Sequence, residues 1–341
     1  MDKIAVVILN YNGKRFLKEF LPTVISKSPE ARIYVADNCS TDDSVSFLKE
    51  NFPNIQLIIN SANGGFAKGY NDALKKIDAE YYVLLNSDIE VTENWISPCI
   101  NLLELNPEIA AVQPKVLSYN NKVKFEHAGA AGGFLDKDFY PFCQGRIFET
   151  TEVDNGQYNE SKEVFWATGA CLFIRSKAYH SVNGLDEDFF AHMEEIDLCW
   201  RLKSRGHKIY YCAESSIYHV GGGTLNYANP KKTYLNFRNS LYMMTKNYGG
   251  ILFIKLFKRL VLDGMAATLF ILKFQFKHFG AVFMSHMTYY KNLRTFLRKR
   301  NEEKKVNRVK VTTGLYKRSI VLRSFLFGKK SFKDLNPNNF K

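Results

Sequence analysis

Carboxylates bind metal ions and accept protons, and this chain gathers them in two places. The first is LLNSD at residues 84–88, which closes the run AEYYVLLNSD, where apolar residues give way abruptly to amide, hydroxyl and carboxylate. A continuous apolar run reads as a central strand of a covered parallel sheet, and ligands of such sheets bind beyond the carboxyl ends of the strands. Asp88 therefore stands where chemistry is usually done, although Asn, Ser and Asp also favour ordinary turns for local hydrogen-bonding reasons. The second is Glu194, Glu195 and Asp197, at the start of the helical pattern EEIDLCWRLKSRGH. At ~100° per residue, Glu194, Asp197 and Arg201 share one face, while Ile196, Leu198 and Trp200 point elsewhere, partly into the core. Acidic residues in a first helical turn are also favoured by the helix dipole.

A sheet able to hold these positions is written along the N-terminal part. The chain opens with KIAVVILNYNG and continues with RIYVADNCSTDDS; with AEYYVLLNSD these make three strands that end in polar residues. Stretches able to form helices, at 13–26, 42–51 and 66–77, separate them into a βαβαβ pattern with one nucleotide-sized crevice. Between them lies NSANGGFAKGYNDALKK, whose Gly64, Gly65 and Gly69 match neither G-x-G-x-x-G nor a P-loop. A Rossmann dehydrogenase and a P-loop NTPase are excluded. What remains is a glycine turn opening a helix, where free N–H groups and the helix dipole can face a phosphate or a sugar hydroxyl.

Taken in order, VVILNYNG, VADNCSTDDS, NGGFAKGYN, LLNSD, FWATGACLFIRSKAYHSVNGLDEDFFAHMEEIDLCWRLKSRG and IYHVGGGT resemble family 2 inverting glycosyltransferases of the GT-A fold. The resemblance is to the bacterial rhamnosyltransferase-like branch that builds surface polysaccharides, and it runs from about residue 3 to residue 240. It implies an α/β fold with a single nucleotide-binding, Rossmann-like mixed sheet flanked by helices. The catalytic domain is expected over residues 1–230, its donor part to about 115 and its acceptor part from 116.

The resemblance also assigns roles. Asn10, Tyr11, Asn12 and Asp37 match the segments that hold the base and ribose of the donor, and Asn63, Gly65 and Phe66 match the loop beside the donor sugar. Ser87 joins this donor-binding set, and Asp88 matches the last carboxylate of a metal-binding D-x-D whose first position is here Asn86. One carboxylate plus substrate phosphates is a normal site for Mg²⁺. His219 resembles the histidine that completes the metal site in some members, which tilts preference toward Mn²⁺; its other reading is a hydrogen-bonded loop histidine. Glu195 matches the catalytic base, with Glu194 the runner-up. Trp166, Thr168 and Gly169 open the acceptor-side segment, with Trp166 either stacked on a sugar or packed in the core, and Asp197 and Arg201 are grouped with them. Asn183 stands where this branch usually has a glycine and reads as a turn residue that accepts positive φ.

The implied reaction is one inverting displacement. Asp88, a divalent metal ion and nearby N–H groups neutralise the leaving diphosphate, while Glu195 removes the acceptor proton at a contribution of ~10² to 10⁴ in rate. The implied donor is dTDP-rhamnose, or UDP-galactose or UDP-N-acetylglucosamine; the implied acceptor is a glycan, on family habit one carried on polyprenyl diphosphate. Asn86 leaves a second reading open, a catalytically silent GT-A domain that binds nucleotide sugar or glycan as a scaffold.

At 341 residues and 46% hydrophobic, the chain can hold such a domain and a further segment. Its six cysteines show no C-x-x-C and no zinc spacing, which points to reduced, buried thiols in a cytosolic protein. IAVVIL is too short for a signal-peptide core and reads as the first strand. The net charge of +13 is split: residues 1–230 hold 22 Lys+Arg against 30 Asp+Glu, or −8, and residues 231–341 hold 25 against 4, or +21. The tail is expected to be a basic, aromatic-rich helical extension. Over 251–279, bounded by Gly250 and Gly280, Lys255, Lys258, Arg259, Lys273 and Lys277 fall within about 100° of one another on a helix, and the rest is apolar. No stretch of 18 uncharged apolar residues exists, so the helix is expected to lie on an anionic membrane rather than span it. The protein is thus expected on the inner face of the cytoplasmic membrane, unless these helices pack on the catalytic domain or on a second copy in a homodimer. A nucleic-acid partner is not expected, because the tail lacks RNA-binding aromatic signatures and its apolar face serves no phosphate contact.

Overall fold

The computed structural model describes residues 1–221 and 229–341. It begins with β1 (Asp2–Asn10), α1 (Lys14–Ser26), β2 (Arg32–Asp37), α2 (Ser44–Asn51), β3 (Gln56–Ile59), α3 (Gly65–Leu74) and β4 (Ala79–Asn86). The four strands are parallel, in the spatial order β3-β2-β1-β4. Strand order reverses between β1 and β4, so a crevice opens beyond Asn10 and Asn86. The apolar runs are uninterrupted because both faces of the sheet are covered. Ile4, Val6 and Ile8 join Leu17, Leu21 and Val24 of α1 in one core, and Ala5 and Val7 join Tyr70, Ala73 and Leu74 of α3 in the other. β3 is absent from the expected pattern: QLII is short, lies at the sheet edge and leaves Ile59 exposed, so its burial signal is weak.

The chain continues through β5 (Ile89–Val91), α4 (Ser97–Leu105), β6 (Ile109–Ser118), β7 (Gly133–Asp136), β8 (Pro141–Cys143), β9 (Arg146–Ile147), β10 (Thr150–Thr151), β11 (Lys162–Val164), β12 (Cys171–Arg175), α5 (Ser176–Ser181), α6 (Glu194–Ser204) and β13 (Lys208–His219). β12 runs antiparallel between β4 and β6, and β13 pairs parallel with β6, giving the mixed sheet flanked by helices that the sequence implies. β5 pairs with the end of β13 and sets Ile89 opposite His219.

Residues from 230 on form α7 (Pro230–Asn247), α8 (Leu252–Leu272), α9 (Phe276–Val306), β14 (Leu315–Tyr316) and α10 (Ile320–Phe327). They are built into the catalytic unit. β14 pairs with β7 in a second, five-stranded sheet, and Leu241, Tyr242, Met243 and Met244 of α7 share a core with Phe189 and Trp200. Tyr242 stacks on Phe296 of α9 with ring centroids 3.7 Å apart. The single helix expected over 251–279 is two helices: α8 stops at Leu272, Phe274 takes φ 58°, and α9 runs through Gly280.

The basic stripe of that segment faces inward where its first turns meet the domain. Lys255 donates to the Lys137 carbonyl (2.6 Å), Lys258 pairs with Asp138 (2.8 Å), and buried Arg259 pairs with Asp263 (2.9 Å) and stacks 3.7 Å over the Tyr140 ring. Asp138 and Asp263 take the charges that an anionic surface was expected to take. No described helix is long and apolar enough to cross a membrane. All six cysteines are free; five are buried, and Cys39 is exposed.

Candidate active site

The carboxyl ends of β1, β2 and β4 meet. Asn10 donates to Asp37 (2.9 Å) and to the Ser40 hydroxyl (3.2 Å), and Asp37 accepts the Ser40 N–H (2.9 Å) and hydroxyl (2.6 Å). Asn10 and Asp37 are buried, and the Asn10 Oδ1 has no hydrogen-bond partner among the described residues. A Cβ at position 13 would press on that Oδ1 and come 3.5 Å from the Ser87 hydroxyl, so Gly13 keeps this turn close to Asn10. Asn12, at φ 52°, accepts the Thr41 N–H (2.7 Å), and Tyr11 beside it is exposed. Asn63 accepts from the Gly65 N–H and from Asn38, both at 3.0 Å, and Asn60 donates to Asn38 (3.2 Å) and to the Gly69 carbonyl (3.1 Å). Asn38 and Asn60 were not singled out in the sequence, where amides at strand ends were the available signal.

Asp88 is buried just beyond β4. Its Oδ1 lies 3.2 Å from His219 Nε2, whose ring carries Nδ1 3.0 Å from Glu126 Oε2. The Val220 N–H donates to the Asp88 carbonyl (3.1 Å) and fixes the pair side by side. Burial disfavours the His219 cation, but the two carboxylates outweigh it and raise the imidazole to about 10. Burial would likewise raise Glu126, yet the His219 hydrogen bond and charge bring it down to about 2. Glu126 was missed because nothing short-range in KFEHAGAAGG marks it. Gly222, Gly223 and Thr224 of the IYHVGGGT segment lie outside the described residues.

Glu194 and Glu195 open α6 after a strained loop. Phe190 (φ 64°), His192 (φ 70°) and Met193 (φ 73°) all occupy the left-handed region without being glycine. Asn239 of α7 holds the loop: its fully buried Nδ2 lies 2.9, 2.8 and 2.7 Å from the carbonyls of Phe189, Ala191 and His192. The donor-side loop meets the same backbone, with the Phe66 N–H donating to the Phe190 carbonyl (2.7 Å). A Cβ on Gly65 (φ 79°) would strike that carbonyl at 2.5 Å. Gly169 closes the contact, since a Cβ there would lie 3.1 Å from Phe66 and 3.7 Å from Glu195, and the neighbouring Ala170 carbonyl accepts the Asn86 N–H (2.9 Å). Glu195 thus sits on the β4 side of the crevice.

Both glutamates keep a buried Oε2 that has no hydrogen-bond partner among the described residues. Burial, reinforced by the Glu195 charge, raises Glu194 well above the ordinary range, and burial raises Glu195 to about 7. Burial thus favours the acid form of both carboxyls in this enclosure, with Glu195 titrating near neutrality.

Four of the expected acceptor-side residues, Asp197, Arg201, Trp166 and Thr168, are interior. Asp197 and Arg201 are paired at 2.8 Å, and Asp197 also accepts from Lys246 (3.0 Å) and Asn247 (2.7 Å). Lys246 and Lys299 hold Asp186 at 2.7 and 2.5 Å, completing an ionic core that joins α6 to α7 and α9. Burial alone would raise Asp197, but Arg201 and Lys246 keep its carboxyl below the usual range. Trp166 takes its core reading: its indole N–H donates to the Phe134 carbonyl (3.1 Å) and its ring covers Gly133. Thr168 is buried as well, its N–H donating to Gln113 (2.9 Å) and its hydroxyl accepting from the Ala170 N–H (3.1 Å). Asn183 adopts the expected positive φ, at 60°.

The model of the family described as Glycosyl transferase family 2 matches residues 5–180, just over half of the chain. The chain belongs to glycosyl transferase family 2. This family 2 enzyme is 23% identical over 233 residues to the N-acetylglucosaminyl-diphospho-decaprenol L-rhamnosyltransferase of Mycobacterium tuberculosis, covering 64% of this chain and 76% of that protein. It is 22% identical over 219 residues to rhamnosyltransferase WbbL of Escherichia coli K12, covering 61% and 80%. Among solved structures, the mannosyltransferase PcManGT of Pyrobaculum calidifontis with GDP-Man and Mn²⁺ superposes with a TM-score of 0.53 at 12% identity, over 84% of this chain and 87% of that one. GalNAc-T7 with UDP, GalNAc and Mn²⁺ gives 0.58 at 16% identity, over 72% of this chain and about half, 48%, of that one. At such identities the likeness speaks for the GT-A fold.

Asp88 and His219 fit a divalent ion. Their facing atoms are 3.2 Å apart, close to the separation of adjacent ligands on a six-coordinate ion with bonds of about 2.1–2.2 Å. Nε2 could serve as a ligand only after losing its proton, and substrate oxygens would have to supply the remaining positions. Among the described residues, no set of three or more His, Cys, Asp or Glu side chains is arranged to hold a metal unaided.

Proposed function

We propose that this family 2 glycosyltransferase moves a hexosyl group, with inversion at the anomeric carbon, from a nucleoside diphosphate to a hydroxyl of a glycan acceptor. The observation that carries this reading is Glu195, raised to about 7, with a buried oxygen that has no partner among the described residues, across Gly169 from the donor-loop residue Phe66. A base half-ionised at neutral pH is matched to taking the acceptor proton as the hydroxyl attacks. Burial and the Glu195 charge both disfavour a second anion at Glu194. Asn10, Asn12, Asp37 and Ser40 brace the turn that would receive base and ribose, with exposed Tyr11 at its rim; the loop of Asn63, Gly65 and Phe66 borders the donor sugar, and Ser87 flanks its diphosphate. Asp88 and His219 would hold a divalent ion, Mn²⁺ ahead of Mg²⁺ because of the imidazole, which when bound supplies positive charge to the leaving diphosphate. Glu126 orients His219 from its other nitrogen. Gly169 leaves the space in which the acceptor hydroxyl would approach Glu195.

The rhamnosyltransferase relatives support rhamnose as the transferred sugar, and the donor we propose is dTDP-rhamnose, ahead of a UDP-sugar. The name of the mycobacterial relative supports a polyprenyl-diphosphate-linked acceptor, used in surface polysaccharide synthesis. Thermal stabilisation of the full chain by dTDP, UDP, GDP and their sugars, with Mn²⁺ or Mg²⁺, tests the donor side. We expect a metal-dependent shift with one nucleotide, absent from Asp88→Asn, and transfer from that donor with inverted product. A nucleotide shift without any transfer would leave a nucleotide-sugar-binding scaffold in its place.

A further inference from the structure

The hairpin of α8 and α9 is inside out with respect to water. The charged residues of α8 face the protein, where Lys255, Lys258, Arg259 and Asp263 meet Lys137, Asp138 and Tyr140. Its outward stripe, at spacings of three and four, is Phe253, Phe257, Val261, Met265, Leu269 and Leu272, between 42% and 78% exposed. Phe274 and Phe276 extend the stripe at the hairpin tip, and Phe283 and Met287 extend it along α9. A helix that faces water shows polar residues outward. Continuous exposed apolar surface of this kind marks a binding face.

Charge decides what covers it. Asp263, which is buried, is the sole acid between residues 251 and 301. Lys273 and Lys277 at the tip and Lys291 and Arg294 on α9 are exposed. A second copy would bring the same cations against one another. An apolar face framed by cations and free of acids instead complements hydrocarbon beneath anionic head groups. α8 does not cross such a layer, because its own charges are tied to the catalytic domain.

We infer that the α8–α9 hairpin docks the enzyme flat on an anionic lipid bilayer, with the apolar stripe at the acyl boundary and Lys273, Lys277, Lys291 and Arg294 at the head groups. The docking face lies opposite Lys255, Lys258 and Arg259, which meet the catalytic domain, and it stands whichever acceptor the site uses. Flotation of the full chain with phosphatidylcholine vesicles, and with vesicles enriched in phosphatidylglycerol, tests it. The wild-type chain is expected to bind the anionic vesicles. Joint replacement Phe253→Ser and Phe257→Ser, at two exposed positions, should weaken binding by about tenfold or more with the melting temperature unchanged. Joint Lys273→Glu and Lys277→Glu should also weaken it, more at low salt than at high. Three outcomes overturn the inference: no binding of the wild type to either vesicle, equal binding of wild type and the Phe variant, or a wild-type dimer that the Phe variant breaks while neither binds lipid.

Discussion

Replacing Glu195 by Gln should separate catalysis from stability in opposite directions. The carboxyl stands at about 7 in the folded protein against an ordinary 4.5, because burial disfavours its anion. For a base, the rate follows the ionised fraction, which falls to about a tenth at pH 6 and about a hundredth at pH 5. We expect kcat/KM of the wild type to climb about tenfold per pH unit up to 7 and then level, and Glu195→Gln to lose about 10² to 10⁴ and the acid limb together. The stability sign is reversed. A raised folded-state value means that the contribution of Glu195 is favourable below 4.5 and is lost as pH rises through about 7. That loss is worth roughly 3 kcal/mol, so Glu195→Gln should melt higher than wild type at pH 8 and alike below pH 5. With ~2.1 cal/mol/K of unfolding entropy per residue over 341 residues, the gain is about 4 °C. Glu194→Gln replaces a carboxyl whose anion burial already disfavours and should keep most of the rate. An acid limb that survives in Glu195→Gln, or that vanishes only in Glu194→Gln, would refute the assignment.

Three further changes probe the support of the site. Asn239→Ala strips the amide from three loop carbonyls and should cost about 2 kcal/mol in chemical denaturation, with kcat falling more than KM changes because the base loses its position. Lys246→Met removes one cation from a buried network in which Asp197 keeps Arg201 and Asp186 keeps Lys299; the cost should sit near the low end for a broken buried pair, about 3 kcal/mol, read as a melting temperature lower by about 4 °C. Glu126→Gln takes one of two carboxylates from His219 and should bring its value down from about 10 by a unit or more, followed by NMR titration of the imidazole; an unmoved titration would exclude Glu126 as its partner.

Short-range pattern carried the donor half of the molecule. Apolar runs with polar ends located β1, β2 and β4, and the glycines at 64 and 65 located the opening of α3, because both signals are local and both faces of the sheet are covered. What escaped was set by distant partners. Glu126 acquires its meaning from His219, 93 positions on, and Asn239 acquires its own from a loop almost fifty positions earlier. Asp197 and Arg201 share a helical face as the periodicity predicts, yet that face meets Lys246 rather than a substrate. The tail shows the same limit. Periodicity fixes which residues of α8 lie together, but the direction of the stripe is decided by Asp138, a residue of the other half of the chain.

This coupling governs how the tail is to be tested. Asn239 of α7 holds the loop that carries Glu195, and α9 in turn holds α7: Arg300 donates to the Thr245 carbonyl (3.1 Å) and the Gly250 carbonyl (2.9 Å), and Lys299 reaches Asp186 (2.5 Å). A truncation at residue 251 would remove Lys299 and Arg300 together with the exposed stripe. It should therefore abolish transfer even to a freely soluble acceptor, since the base loses its support before any membrane is involved. Substitutions at Phe253 and Phe257 leave those bonds in place and act on the surface alone. Full activity of a chain ending at residue 250 on a soluble acceptor would show that α7 holds the catalytic loop without α9, and would overturn this account of the tail as part of the active site's scaffold.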